Sequence, residues 1–274
     1  MPSDWAIDSA CEVGNKYTVH DNLRHHLLIY KFMAKVNSVL ADSDRPTSES
    51  SPDSERVMLI SVLERDFADL ERQIRHKISG QSYSISFFWT ILTGLASQQI
   101  LLDMVSLQLG TFYFFMKEHT EVRKLGLLKA YTTAVSVISK SVEADKSWGF
   151  LKNVPNGYLQ ILCTGAILVM KIVHSSYSQY IDVDEGKRVF DSIVALKLTA
   201  PDKDSYRDDL RDRIRRVLEQ LWSLHHSLTL AREQEPSLRV KSRLGASVMH
   251  DALWTFRDQH VISVSNLVRQ EPSK

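Results

Sequence analysis

The sequence has few of the residues that cross-link a chain or form its turns: of its 274 residues 2 are cysteine, 10 glycine and 7 proline. Two cysteines exclude a disulfide scaffold and any multi-cysteine zinc or iron–sulfur site. So few turn-forming residues argue against an all-β sandwich. The chain also lacks an excess of either charge, because 34 basic and 33 acidic side chains leave a net charge of +1. This balance excludes a strong chain-wide attraction to nucleic acid or anionic membranes.

Motifs of the common enzyme classes are missing as well. The glycines form no phosphate-binding loop, and there is no serine nucleophile elbow and no H-E-x-x-H zinc motif. No D-D-x-x-D aspartate cluster lies on an apolar helix, which disfavours a metal-dependent terpene cyclase. We therefore expect a protein that is not an enzyme and needs neither a cofactor nor a metal ion.

The apolar residues repeat with helical spacing along most of the chain. A helix after Asp21 is predicted to present one stripe, and a second helix, over about 54–78, presents another. These stripes are Leu23, Leu27, Tyr30 and Ala34 in the first helix and Val57, Ile60, Leu63, Phe67, Leu70 and Ile74 in the second. Further helices are predicted over about 84–117, 119–143, 155–176, 184–198, 203–230 and 238–260. The fold class is all-α, an irregular bundle of about eight helices around a central apolar helix.

The pattern divides the chain into three parts. Residues 1–53 are predicted to be an irregular N-terminus, one helix and a Ser-rich linker. Residues 54–262 form the helical domain, and residues 263–274 form a tail. The apolar segment between Lys77 and Lys117 contains a single charged residue, Asp103. Glutamines also interrupt it, so a buried helix is favoured over a membrane segment.

Three features resemble functional sites without matching one well. The pairs His25–His26 and His225–His226 are predicted to lie at the surface or at helix ends, because adjacent helical residues diverge by about 100° and cannot chelate one ion alone. Cys163 is predicted to be a buried structural thiol. The basic run from Arg211 to Arg216 is predicted to be a solvated, ion-paired face, with nuclear import or phosphate contact as the alternatives.

Three segments resemble, in order and spacing, the C-terminal regulatory region of fungal zinc-cluster transcription factors. The subgroup that they match includes regulators of leucine biosynthesis, weak-acid resistance and secreted proteases. The segments are VPNGY with the apolar helix after it, SYRDDLRDRIRRVLEQLW and SLRVKSRLGASVMHDALWTFRDQ. The resemblance covers about residues 55–260. The matching positions are Pro155, Tyr158, Asp182, Arg213 or Arg211, Trp222, Ser242, Arg243, Ser247, Asp251, Trp254 and Arg257.

This resemblance implies a nuclear regulator of transcription that controls a metabolic or secondary-metabolite gene set. Such factors carry a six-cysteine DNA-binding cluster, which a chain with two cysteines cannot build. Direct DNA binding by this chain alone is therefore not expected. The chain resembles the regulatory half by itself, in a truncated or stand-alone form. Its expected partners are proteins of the transcription machinery or a DNA-binding dimer partner, and no membrane.

Two further hypotheses remain beside this one. In the family, a small effector sometimes acts through the regulatory region, and Tyr158, Met170 and Trp222 are candidates to line its pocket. The simpler interpretation is that these three are ordinary core residues. An adaptor or scaffold without a ligand is the main alternative function, and an all-α enzyme of secondary metabolism is a weaker one.

Overall fold

The computed structural model describes residues 21–42, 53–79, 88–116, 120–153, 156–195, 205–230, 252–254 and 257. Within these ranges the chain forms α-helices and short 3-10 helices and no β-strand, which confirms the predicted all-α class. The chain divides into two compact units, residues 1–126 and 127–274. The limits predicted at residues 53 and 262 from the sequence pattern stay a prediction.

The first unit is built around a buried apolar helix. Helix α1 (Asp21–Asp42) packs on α2 (Asp53–Ser79) and on α3 (Phe88–Gly110), which continues into a 3-10 helix, Thr111–Phe115. No residue from 98 to 116 is exposed, so α3 is surrounded by protein along its second half. A helix that is apolar on every side belongs at the centre of a unit. None of the helices in the described ranges has the length and apolar character needed to cross a bilayer.

Two arginines support the end of this central segment. The Arg56 Nη1 donates to the Phe115 carbonyl at 2.7 Å, and the Arg123 Nε donates to the Tyr113 carbonyl at 3.4 Å. They satisfy carbonyl groups that a helix end leaves without an intrahelical donor. Gly126 lies against the same segment, and a Cβ there would overlap the Tyr113 ring. Glycine is therefore required at this close approach.

The second helix of this unit confirms its predicted face, and the first does not. In α2 the predicted stripe is buried at Ile60, Leu63, Leu70 and Ile74. In α1 the predicted stripe was wrong, because Leu23 and Tyr30 are 54% and 45% exposed. The buried residues of α1 lie on the opposite side of the helix and are His25, Ile29, Phe32 and Val36. Both sets have the same spacing. The buried set includes His25, so a search for apolar residues alone did not identify this face of the helix.

The second unit contains five helices in its described residues. The boundary at Gly126 falls within α4 (Glu121–Trp148), which is followed by the short α5 (Phe150–Asn153) and by α6 (Asn156–Val173). After a 3-10 helix, Ser176–Tyr180, come α7 (Val183–Val194) and α8 (Ser205–Leu230). Gly149 ends α4 with a φ of 69°, a left-handed conformation that favours glycine after a helix. The predicted helix over 238–260 lies outside the described residues except at 252–254 and 257.

Helix α6 is the buried apolar helix of this unit, and every residue from 165 to 175 is buried. It packs chiefly on α7, and both contact α8. Gly186 of α7 allows the close approach, since a Cβ there would come 2.8 Å from the Tyr131 hydroxyl and 2.9 Å from Val173 Cγ2. The joint of α6, α7 and α8 holds most of the unusual side chains of the unit.

Candidate functional site

Aromatic, histidine and lysine side chains lie together where α6, α7 and α8 meet, and we call this group the Trp222 cluster. It consists of Lys171, His174, Lys187, Phe190, Trp222 and His225. The Trp222 ring meets the His174 ring edge-on at 4.8 Å and the Phe190 ring at 4.5 Å, measured between centroids. His174 and His225 stack at 6.5 Å. Three helices thus converge on one tryptophan.

Two lysines give the Trp222 cluster its charge. The Lys187 Nζ lies 4.7 Å from the centroid of the Trp222 ring and forms an ion pair with Asp191. An ammonium over an aromatic face is stabilised by about 0.5 to 2 kcal/mol, depending on its exposure to water. Lys171 is 1% exposed, although it lies in the most apolar helix of the unit. Burying an ammonium group is costly unless the group is paired or hydrogen-bonded, so a buried lysine is unusual in an apolar helix.

The two buried histidines of the cluster are held neutral. Burial, with smaller effects from His226 and Lys187, lowers the pKa of His174 to about 4. Burial, with smaller effects from Lys171 and His174, lowers the pKa of His225 to about 3. Neutral imidazoles at pH 7 can accept or donate one hydrogen bond each and could ligate a metal. Among the described residues, however, no three His, Cys, Asp or Glu side chains are grouped so that they could hold an ion.

The three candidates for an effector pocket do not lie together. Tyr158 is buried at the start of α6, where its ring packs edge-on against Phe150 at 5.6 Å. Trp222 contacts His174, just beyond the end of the same helix. About 15 residues of helix separate the two, or roughly 22 Å at 1.5 Å per residue. Met170 is fully buried one turn before His174, so it lies near the Trp222 end.

Asp182, a position of the family motif, fixes the start of α7. Its Oδ1 accepts from the Glu185 backbone N–H at 2.9 Å, which is the geometry of an N-terminal helix cap. Its carbonyl oxygen accepts from the Tyr131 hydroxyl at 2.5 Å. Burial, together with the carboxylates of Glu185 and Asp182, raises the pKa of Tyr131 to about 12, so the hydroxyl stays a donor. Asp182 therefore ties α7 to α4 and has a positioning role.

The remaining motif positions are described only in part. Trp254 is 52% exposed, and the Arg257 guanidinium carbon lies 3.7 Å from the centroid of its ring. This stacking is a cation–π contact at the surface. Pro155, Ser242, Arg243, Ser247 and Asp251 lie outside the described residues, as do the side chains of Arg211 and Arg213.

The sequence-based expectation for the histidine pairs was wrong for one member of each pair. His25 is 4% and His225 is 1% exposed, while His226 is exposed and His26 is half-buried. A signal for His225 was present, because it continues the buried stripe of Leu218 and Leu221 by one further turn. Lys171, His174 and Lys187 were not singled out, since the sequence alone does not bring α6, α7 and α8 together.

Cys163 and three aspartates of α8 are the remaining candidates for catalytic chemistry. Cys163 is half-buried, and burial raises the pKa of its thiol to about 11, so the group is not activated as a nucleophile. Asp208, Asp209 and Asp212 have D-D-x-x-D spacing on α8. This helix is charged rather than apolar, and the three side chains lie outside the described residues. Neither feature forms a catalytic site in the part of the chain that the structure describes.

The chain is similar to regulatory protein LEU3 of Saccharomyces cerevisiae, with 18% identity over an alignment of 286 positions. The alignment covers 93% of this chain and 31% of that relative, so the chain spans about a third of its length. No family model matches the chain, and no solved structure matches it. The similarity supports a family-level relation to a fungal transcription regulator, in agreement with the motifs that the sequence presents.

Proposed function

We propose that this protein is a transcription-regulator-like helical domain that acts in the nucleus without catalysing a reaction. The observation that carries the proposal is the similarity to regulatory protein LEU3, which extends over 93% of the chain. It resembles the regulatory half of a zinc-cluster factor and has two cysteines, too few for that cluster. It would control a metabolic or secondary-metabolite gene set through proteins of the transcription machinery or a DNA-binding partner.

The arrangement of the second unit supports a regulatory role. Trp222 contacts His174, just beyond the end of α6, and Phe190 of α7, and Asp182 ties the start of α7 to α4. A ligand or partner that contacts such a joint can favour one packing of these helices over another, provided that it binds the two packings differently. Because Met170 lies one helical turn before His174, which contacts Trp222, this joint is the better candidate for an effector than the Tyr158 end. A compound that binds there would raise the melting temperature.

A reporter assay tests the proposal. The full chain is fused to a heterologous DNA-binding module, and transcription from its promoter is compared with that of the module alone. We expect the chain to change the reporter signal severalfold in either direction. A second fusion carries Asp182→Ala, which removes the helix cap and about 1 kcal/mol of stability, and its effect should be reduced. A nuclear, well-expressed fusion that leaves transcription unchanged would contradict a regulatory function.

One observation favours a second function, that of a helical adaptor. The apolar stripe that the sequence predicts on α1 is exposed at Leu23 and Tyr30. An apolar helix face in water is typical of a surface that binds another protein. An adaptor would keep its partner when the DNA-binding module is absent, so co-purification of a defined partner with an inactive reporter fusion would favour this alternative.

A further inference from the structure

Helix α1 has two apolar faces on opposite sides. At 100° per residue, Leu23, Leu27, Tyr30 and Ala34 centre about 200° away from His25, Ile29, Phe32 and Val36. The second set is buried against α2 and α3. The first set, which we call the outer stripe, is exposed at Leu23, Tyr30 and Ala34 and half-buried at Leu27. An ordinary surface helix has one apolar face, so a second, exposed apolar face on α1 is unusual.

The spacing of the outer stripe is that of a helix–helix seam. Its members are separated by four, three and four residues, which is the alternation of the two seam positions in a heptad repeat. The stripe extends over about three helical turns, roughly 16 Å at 1.5 Å per residue. This length suits one amphipathic helix lying along the surface and is too short for a long coiled coil.

The charged residues of α1 that flank the outer stripe between residues 23 and 39 are basic. Residues 23–39 contain no acidic side chain, while Arg24, Lys31 and Lys35 are basic. Arg24 pairs with Asp21 at 3.5 Å and Lys35 with Asp66 at 2.7 Å. The Lys35–Asp66 pair is exposed, so it contributes little to stability and can exchange partners, whereas the Arg24 side chain is 16% exposed. The surface is therefore apolar along its middle, and its three cations lie along one border, where Asp21 and Asp66 are also present.

We propose that the outer stripe of α1 binds an acidic amphipathic helix of another polypeptide. Leucine-like residues of that helix would cover Leu23, Leu27 and Tyr30, and its flanking carboxylates would face Arg24, Lys31 and Lys35. A second copy of this chain fits less well, because in the antiparallel orientation its own basic residues would face these same cations, and in the parallel orientation they would face the opposite border of the stripe, which has no acidic residue. The proposal concerns the first unit alone and does not depend on the proposed regulatory function.

Binding of a designed peptide to the full chain tests this inference. The probe is a fluorescent helical peptide of three heptads with leucine at the seam and glutamate at the flanking positions, and the control peptide has lysine in place of glutamate. We expect anisotropy to show micromolar binding of the acidic peptide that weakens with salt, and at least tenfold weaker binding of the basic peptide. Equal affinity for both peptides, or the absence of binding, would overturn the proposal.

Two matched variants locate the surface. Tyr30→Glu places a negative charge in the outer stripe and should weaken binding of the acidic peptide at least tenfold. Met58→Glu makes the same charge change at a residue of α2 that is 71% exposed, and the affinity should stay unchanged. Leu23→Ser removes an apolar side chain of the outer stripe without adding a charge, and it should also weaken binding of the acidic peptide. Circular dichroism confirms that each variant is folded. If Tyr30→Glu leaves the affinity unchanged, or if it converts a dimer of this chain into monomers in sedimentation, the proposed partner is wrong.

Discussion

At the scale of single residues, His174 and His225 make the second unit sensitive to acid. Their pKa values in the folded chain are about 4 and about 3, whereas a histidine in an unfolded chain titrates near 6.5. Between these values the unfolded state binds more protons than the folded state, so the free energy of unfolding falls as the pH is lowered. The stabilisation is complete above about pH 7 and is lost progressively as the pH falls through 6 and 5.

The size of this loss can be measured by urea unfolding at several pH values. Between about pH 7.5 and about pH 5.5 we expect the free energy of unfolding to fall by on the order of 1 kcal/mol for each of the two histidines. His174→Gln should remove about half of this pH dependence. His226→Gln removes a smaller cause of the lowered pKa of His174 and should therefore reduce the slope by less than His174→Gln does. If neither variant changes the slope of the free energy of unfolding against pH, other groups cause the acid sensitivity.

At the scale of helices, the sequence pattern predicted where most elements lie and was less reliable about their faces. The bounds of α2, α6 and α8 agree with the predictions to within a few residues. The stripe of α2 was identified because it is the single apolar face of that helix. Helix α1 has two such stripes with identical spacing, and only tertiary packing decides between them. Phe32 is buried because its ring meets Phe67 of α2 at 5.9 Å, a contact that no local pattern contains.

Paired substitutions in α1 test this assignment of faces. Phe32→Ala removes a ring that is 9% exposed, and we expect a loss of about 3 kcal/mol in the free energy of unfolding. Tyr30→Ala, two residues away on the exposed side, should change it by no more than about 0.5 kcal/mol. Chemical denaturation of both variants measures the difference. Equal losses for the two would mean that the outer stripe is also covered in the folded chain.

At the scale of the whole molecule, composition predicted the class of fold but not the place of the candidate site. The scarcity of glycine and proline and the helical periodicity of the apolar residues were enough to predict an all-α fold. The Trp222 cluster was found only in part, because Trp222 belongs to a family motif while Lys171, His174 and Lys187 look ordinary in the sequence. A lysine in an apolar helix becomes informative once three helices enclose it. Such convergence is a property of the packing and leaves no local pattern.

The charge of the whole molecule also limits what it can bind. With 34 basic and 33 acidic side chains its net charge gives duplex DNA little chain-wide attraction, and affinity for DNA depends mostly on contacts to phosphate. We expect fluorescence anisotropy to show binding no tighter than about 10⁻⁶ M at physiological salt. The basic run of α8, residues 211–216, is the one alternative raised by the sequence. Arg215 pairs there with Glu219 at 3.3 Å, and both Arg215 and Arg216 are exposed. Tighter, strongly salt-dependent binding that is lost in the Arg215→Glu/Arg216→Glu variant would show that this helix contacts DNA directly, and the requirement for a DNA-binding partner would then be withdrawn.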